Sequence, residues 1–256
     1  MKTDWAPLRN GLKHFRRSGL TLPLWWRDDD AISATPALDR LSALSEQLEV
    51  PVHIAVIPAR ADHSLVRHVT DYTALIPLVH GWRHVNHAPP EQKKAEFNSK
   101  RADGQAEIQH ALTRMKALFA DRLVPLFVPP WNRIDADHTR SLADVGYRGL
   151  STFAPRTTRC AAPGLVQINT HIDPIDWRGT RDLNDPQRII TDVLDLLQAR
   201  ENGDADAQEP MGYLTHHLVH SAPLWDFSHD LLSELRDGGA DVVSLTPLLE
   251  HSDEPT

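Results

Sequence analysis

Short apolar runs alternate with amphipathic stretches along most of the chain. "LPLWWR" (22–27), "VPVHIAVIP" (50–58), "ALIPLVH" (74–80), "VPLFVPP" (124–130), "YRGLSTF" (147–153), "GLVQIN" (164–169), "MGYLTHH" (211–217) and "ADVVSL" (240–245) are brief and rich in β-branched or aromatic residues, and each predicts a strand. Between them, 35–49, about 91–120, 135–145, 186–200 and 226–237 carry apolar residues at helical spacing. Thr35 followed by Pro36 suits an N-cap and a first helical position. Seven or eight strands alternating with helices predict an α/β fold, a parallel sheet closed or nearly closed into a (β/α) barrel. Such barrels gather functional groups at the C-terminal ends of their strands.

The polar outliers fall at those ends. "WWRDDDA" closes the first strand with Asp28, Asp29 and Asp30, "LVHGWRH" closes the third, "FVPPWN" the fourth, "NTHIDPIDW" follows a later one and "YLTHH" ends another. Three successive carboxylates repel one another unless a cation or a proton intervenes. A solvated turn capping the next helix is the plain alternative for "RDDDA". His80 and His84 are four residues apart, a spacing that puts two imidazoles on one face of a helical turn. Joined by an aspartate, they form a ligand set for catalytic Zn2+ or a similar divalent ion, with a position left for water. Adjacent carboxylates can then divide the work, one binding the ion and the other accepting a proton from the water.

With 256 residues, 41% of them hydrophobic, the chain suits one domain over 1–256, with a polar loop at 201–210 and a tail at 251–256. A net charge of −8 and a pI near 6.0 offer no overall attraction to nucleic acid or to an anionic membrane. The single cysteine, Cys160, excludes an internal disulfide and a multi-cysteine zinc cluster and is compatible with a reducing compartment. "MKTDWAPLRNGLKHFRRSG" lacks the apolar core of an export signal, and no segment approaches the ~20 apolar residues that span a bilayer. The expectation is a soluble, cytoplasmic protein of open oligomeric state.

Five motifs in order resemble those of the polysaccharide deacetylase superfamily, also known as the NodB-homology proteins or carbohydrate esterase family 4. "WWRDDDA" resembles the first motif, an apolar strand running into Asp-Asp-Gly. "HGWRH" resembles His-Ser/Thr-x-x-His, with Gly81 at the hydroxyl position. "VPPWN" resembles Arg-Pro-Pro-Tyr-Gly, with Val128, Trp131 and Asn132 replacing arginine, tyrosine and glycine. "DPIDW", Asp173 to Trp177, matches Asp-x-x-Asp-Trp in full, and "LTHH" meets Leu-x-His or Leu-x-x-His with His216 or His217.

The resemblance implies a distorted (β/α) barrel of about seven strands and metal-dependent amide or ester hydrolysis. Its ion, Zn2+ ahead of Co2+, Ni2+ or Mn2+, would be held by Asp30, His80 and His84. Asp29 would act as base, and the Trp131 N–H would hold the oxyanion. His216 would serve as acid toward the departing amine, with Asp176 orienting that imidazole. If Asp30 rather than Ala31 occupies the glycine position, base and ligand shift to Asp28 and Asp29. His217 and Asp173 are likewise alternative site residues. The family's third-motif arginine pairs with the base; with Val128 in its place, Arg27 or Arg133 is left to substitute. Trp177 would wall the pocket, and Trp82, His87, Pro130 and Asn132 would touch substrate. His53 reads as structural, and Glu96 as part of a solvated helical face. The implied substrate is an N-acetylated amino sugar, with a small non-sugar amide or non-catalytic carbohydrate binding as alternatives.

Overall fold

The structure is a computed structural model that describes residues 3–98 and 101–250; the expected tail at 251–256 lies outside them. In chain order the elements are α1 (Ala6–Arg17), β1 (Leu22–Ala31), α2 (Pro36–Leu48), β2 (Val52–Val56), α3 (His63–Asp71), β3 (Leu75–His80), α4 (Gly104–Phe119), β4 (Leu126–Val128), α5 (Ala136–Val145), β5 (Gly149–Leu150), β6 (Cys160–Ala162), β7 (Leu165–Gln167), α6 (Pro186–Asn202), β8 (Met211–Thr215), α7 (Ala222–Asp237), β9 (Ala240–Val242) and α8 (Leu245–Glu250). The anticipated cap of α2 is present: Thr35 Oγ1 accepts from the Leu38 N–H at 3.1 Å, and Pro36 opens the helix.

The sheet runs β6-β7-β5-β4-β3-β2-β1-β8, with β9 against the start of β1, and only β6 and β7 pair antiparallel. Eight strands run parallel, and seven of them, β7-β5-β4-β3-β2-β1-β8, curl into the expected distorted barrel. The seam between the β7 side and β8 is closed by one isolated bridge, Ile172 to Tyr213, and by the His171 N–H donating to the Gly212 carbonyl at 2.8 Å. Gly212 is required there. A Cβ at this position would meet the Asn169 carbonyl at 2.6 Å and Thr170 Cα at 2.7 Å, both backbone.

β1 alternates between two apolar environments. Leu24 and Trp26 join the layer between sheet and helices, whereas Trp25 joins Leu78, Leu126, Val128 and Ile168 inside the barrel. Leu245 and Leu249 of α8 belong to the same interior cluster and plug the end opposite the site. No helix among the described residues is long and apolar enough to cross a membrane.

Two expectations need correction. The helix anticipated from about 91 begins at Gly104. The segment before it is irregular because Phe97 turns inward, edge-on to Phe127 at 5.5 Å, and Glu96 is buried beside it. The polar loop expected at 201–210 begins only after α6 ends at Asn202, and it is fastened: Arg156 pairs with Asp206, and buried Glu209 accepts from the N–H groups of Arg156 and Asn169.

Asp28 faces the helix layer and ties β1 to the end of β8. One of its oxygens meets His217 Nδ1 at 2.5 Å, and the other accepts from Thr215 Oγ1 at 2.6 Å and the His217 N–H at 2.9 Å, all fully buried. Burial alone pushes the Asp28 carboxyl up and the His217 imidazole down. Their mutual contact outweighs it, leaving Asp28 below its ordinary value and His217 above. The contribution of His217 is therefore complete below about pH 6.5 and fades as pH rises through its raised value, while that of Asp28 is complete above about pH 4. Asp28→Asn is expected to cost about 3 kcal/mol between about pH 4 and 6.5 and less toward pH 9, as urea unfolding at several pH values will read.

Candidate metal centre

The three aspartates at the tip of β1 face three different surroundings. Pairing shifts between Asp29 and Ala31 on the β2 side, so that Asp30 is bulged out with φ +76°. Asp28 is committed to His217, Asp29 points into the barrel mouth and Asp30 turns toward the end of β3.

Asp30 Oδ1 lies 3.3 Å from His80 Nε2 and 3.4 Å from His84 Nε2. All three ligand atoms fall within 4.8 Å of one another. Ligands about 2.0–2.1 Å from one tetrahedral ion stand about 3.3 Å apart, the spacing seen here. Asp30 Oδ1 is buried with no hydrogen-bond partner, an orphaned acceptor that a cation would satisfy. The Val128 carbonyl lies 3.0 Å from His80 Nδ1 and can only accept, which puts the proton on Nδ1 and frees Nε2 for a metal. Burial pushes the Asp30 carboxyl up, but the close approach and charge of His80, with the charge of His84, hold it well below the usual carboxylate range. Burial, with the charge of His80, pushes His84 down toward the neutral form that binds metals. The residues present fit a divalent ion.

The two histidines do not share a helical turn, as their spacing suggested. His80 ends β3, and 81–84 is an irregular turn with φ +55° at Gly81 and +58° at His84. A side chain on Gly81 would have no room, since a Cβ would fall 2.3 Å from Glu96 Oε2 and 2.5 Å from Pro130 Cδ. The buried Glu96 carboxylate fills that space and accepts from the Trp82 N–H at 3.1 Å and the Arg83 N–H at 2.8 Å. Reading "KKAEFNSKR" as a solvated face missed Glu96. Only the neighbouring Phe97, an apolar residue in a charged run, marked the segment as buried.

Arg27 supplies the cation that Val128 cannot. Fully buried, it grips Asp29 through Nε to Oδ1 at 2.9 Å and Nη2 to Oδ2 at 3.0 Å, and it also donates to Asn132 Oδ1 and Ser151 Oγ, each at 2.8 Å. Arg133 donates instead to the Lys94 carbonyl. Across from Asp29 Oδ2, His216 Nε2 stands 4.0 Å away, and Trp177 is edge-on to His216 with ring centres 4.8 Å apart. Trp131 and Asn132 both have φ +57°, and the Trp131 ring lies 4.3 Å from that of His84. The Trp131 N–H has no acceptor among the described residues.

Several expected residues stand elsewhere. Asp176 does not reach His216: its oxygens accept from the Gly179 and Thr180 N–H groups and close an exposed turn. A second acid near His216, besides Asp29, is Asp173: burial pushes its carboxyl up, the charge of His216 opposes that shift, and it accepts from Trp177 Nε1 at 2.7 Å. Trp82 faces His110 of α4, the exposed His87 donates its N–H to the Ala95 carbonyl, and Pro130 is buried under Gly81. His217 belongs to the Asp28 pair rather than to the centre.

The turn therefore depends on an absent side chain at 81 and on Glu96. Gly81→Ser restores the residue type usual in the resembling motif, yet it is expected to weaken Zn2+ binding about 10–100-fold, measured by competition with a chromophoric chelator. An unchanged affinity would show that the turn tolerates a Cβ.

No family model matches the sequence, and neither does any curated protein. Solved structures do match over most of both chains. A family 4 carbohydrate esterase from Streptomyces lividans in complex with acetate aligns with a TM-score of 0.54 at 16% identity, covering 90% of this chain and 95% of its own. A Mycobacterium smegmatis protein described as a polysaccharide deacetylase gives 0.61 at 15%, covering 91% of each. A peptidoglycan N-acetylglucosamine deacetylase gives 0.57 at 14%, covering 92% of this chain and 91% of its own. A Bacillus anthracis pseudoenzyme of the same family gives 0.57 at 15%, covering 90% of this chain and 66% of its own. The distorted barrel is thus shared with these proteins, and the chain has the fold of the polysaccharide deacetylases of carbohydrate esterase family 4.

Proposed function

We propose that this protein is a metal-dependent hydrolase that removes the acetyl group from an N-acetylated amino sugar. The observation that carries the reading is the joint placement of the Asp30–His80–His84 ligand set and an arginine-held Asp29 that faces His216 at 4.0 Å. Two nitrogens and one carboxylate oxygen favour Zn2+ as the ion. When bound there, the ion lends Lewis acidity to a water and to the substrate carbonyl.

Asp29 takes the proton of the attacking water. Arg27, itself held by Asn132, keeps its carboxylate fixed for that task. The Trp131 N–H, left free by the left-handed backbone at 131, donates to the oxyanion that develops on the carbonyl oxygen. His216, 4.0 Å from Asp29 across the barrel mouth, passes a proton to the departing nitrogen. Asp173 holds the indole of Trp177 against His216 and so shapes the pocket wall.

A second reading keeps the chemistry and changes the substrate to a small non-sugar amide. It is favoured by five exposed apolar side chains, Val85, Phe153, Trp177, Leu218 and Val219, all in loops after strands at the site end of the barrel. A third, non-catalytic sugar binding, loses its main support once Arg27 supplies the missing cation.

Acetate release from a panel of N-acetylated sugars, with and without chelator, tests the proposal. Chelator-sensitive release is expected. Amine production from non-sugar amides alone would favour the second reading, and sugar binding without release the third. Asp29→Asn is expected to slow turnover about 10²–10⁴-fold while retaining one metal ion per chain, as metal analysis will show. Loss of metal from that variant would move the ligand from Asp30 to Asp29.

A further inference from the structure

The loops after β2 and β3 and the flank of α4 line an open cavity of about 500 Å3, formed by Ala59, Arg60, Trp82, Arg83 and Arg114. Three of these five side chains are guanidinium groups and none is a carboxylate, in a chain whose net charge is −8. Cations gathered around one space repel one another until an anion enters it. Arg9, Arg27, Arg101 and Arg156 each meet a carboxylate. The side chains of Arg60 and Arg83 make no hydrogen bond or ion pair among the described residues.

The cavity is also held in shape. Arg114 donates from Nε to the Pro58 carbonyl at 2.6 Å and from Nη2 to the Ala61 carbonyl at 2.9 Å, which aims its remaining N–H groups. Glu96 clamps the N–H groups of Trp82 and Arg83, and the Arg83 guanidinium lies 5.9 Å from the centre of the Trp82 ring. A guanidinium fork matches phosphate or carboxylate oxygens in pairs. The turn that places Trp82 and Arg83 here is the one whose ends, His80 and His84, face Asp30.

We propose that this cavity binds an oxyanion, a phosphate or carboxylate group, whose carrier lays a ring on Trp82. The carrier is an acidic N-acetylated amino sugar, a step that rests on the hydrolase reading; a free anion is the other source of the same chemistry.

Calorimetry of inorganic phosphate with the full chain at low ionic strength tests the site itself. Binding is expected to weaken about tenfold in Arg60→Gln and in Arg83→Gln and to be unaffected by Asp30→Asn. Arg114 is left intact because it braces the 58–61 backbone. Absent binding, or binding that Asp30→Asn abolishes and the arginine variants leave untouched, overturns the proposal. Acetate release from N-acetylglucosamine and from its 6-phosphate separates the two sources. A KM raised by Arg83→Gln for the phosphate ester alone assigns the anion to the substrate. Phosphate altering the rate with the neutral sugar, in the wild type but not in Arg83→Gln, assigns it to a free anion. Equal KM effects on both sugars overturn the acidic-substrate step. Hydrolysis of neither sugar removes the hydrolase reading, while calorimetry still decides the anion site.

Discussion

Three aspartates in succession cannot share one environment. Two carboxylates about 4 Å apart repel by about 4 kcal/mol at an effective dielectric constant near 20, so each needs a cationic partner of its own. The chain resolves this by direction. Strand alternation sends Asp28 outward to His217 and Asp29 inward to Arg27, and the bulge at Asp30 adds a third direction, toward His80 and His84. One strand tip thereby holds a structural ion pair, a base and a metal ligand on adjacent residues.

Where the sequence departs from the motifs it resembles, the structure provides a substitute from another element. An arginine expected beside Pro129 on β4 is replaced by Arg27 on β1, two residues before the aspartate it grips. The hydroxyl residue expected at 81 is replaced by glycine, and the vacated space is taken by the Glu96 carboxylate. Both substitutes are buried and hydrogen-bonded, so each braces the groups that it holds.

Strand and helix order was legible because the strands are buried on both faces and read as continuous apolar runs, with capped helices between them. The 91–103 segment was not, since its lysines imitate a solvated helix while Phe97 alone anchors it to the core. Asp30, His80 and His84 could be picked out from their placement at strand ends, although the turn joining the two histidines is irregular rather than helical. Arg27 was accessible in principle, since residues two apart on a strand share a face. Glu96 was not, because its partners lie 13 and 14 residues away across a loop that no periodicity marks. A match in motif spacing carries no information on which carboxylate lies near the histidine and which, like Asp176, closes the turn behind it.

The account stands on one cation shared by a carboxylate of β1 and two imidazoles of the β3 turn. The most direct measurement is an anomalous-difference map from crystals of the zinc-loaded protein, recorded on either side of the zinc absorption edge. A single strong peak about 2.0–2.1 Å from Asp30 Oδ1, His80 Nε2 and His84 Nε2 is the expected result. No peak there, or a peak at the Asp28–His217 pair instead, would contradict it.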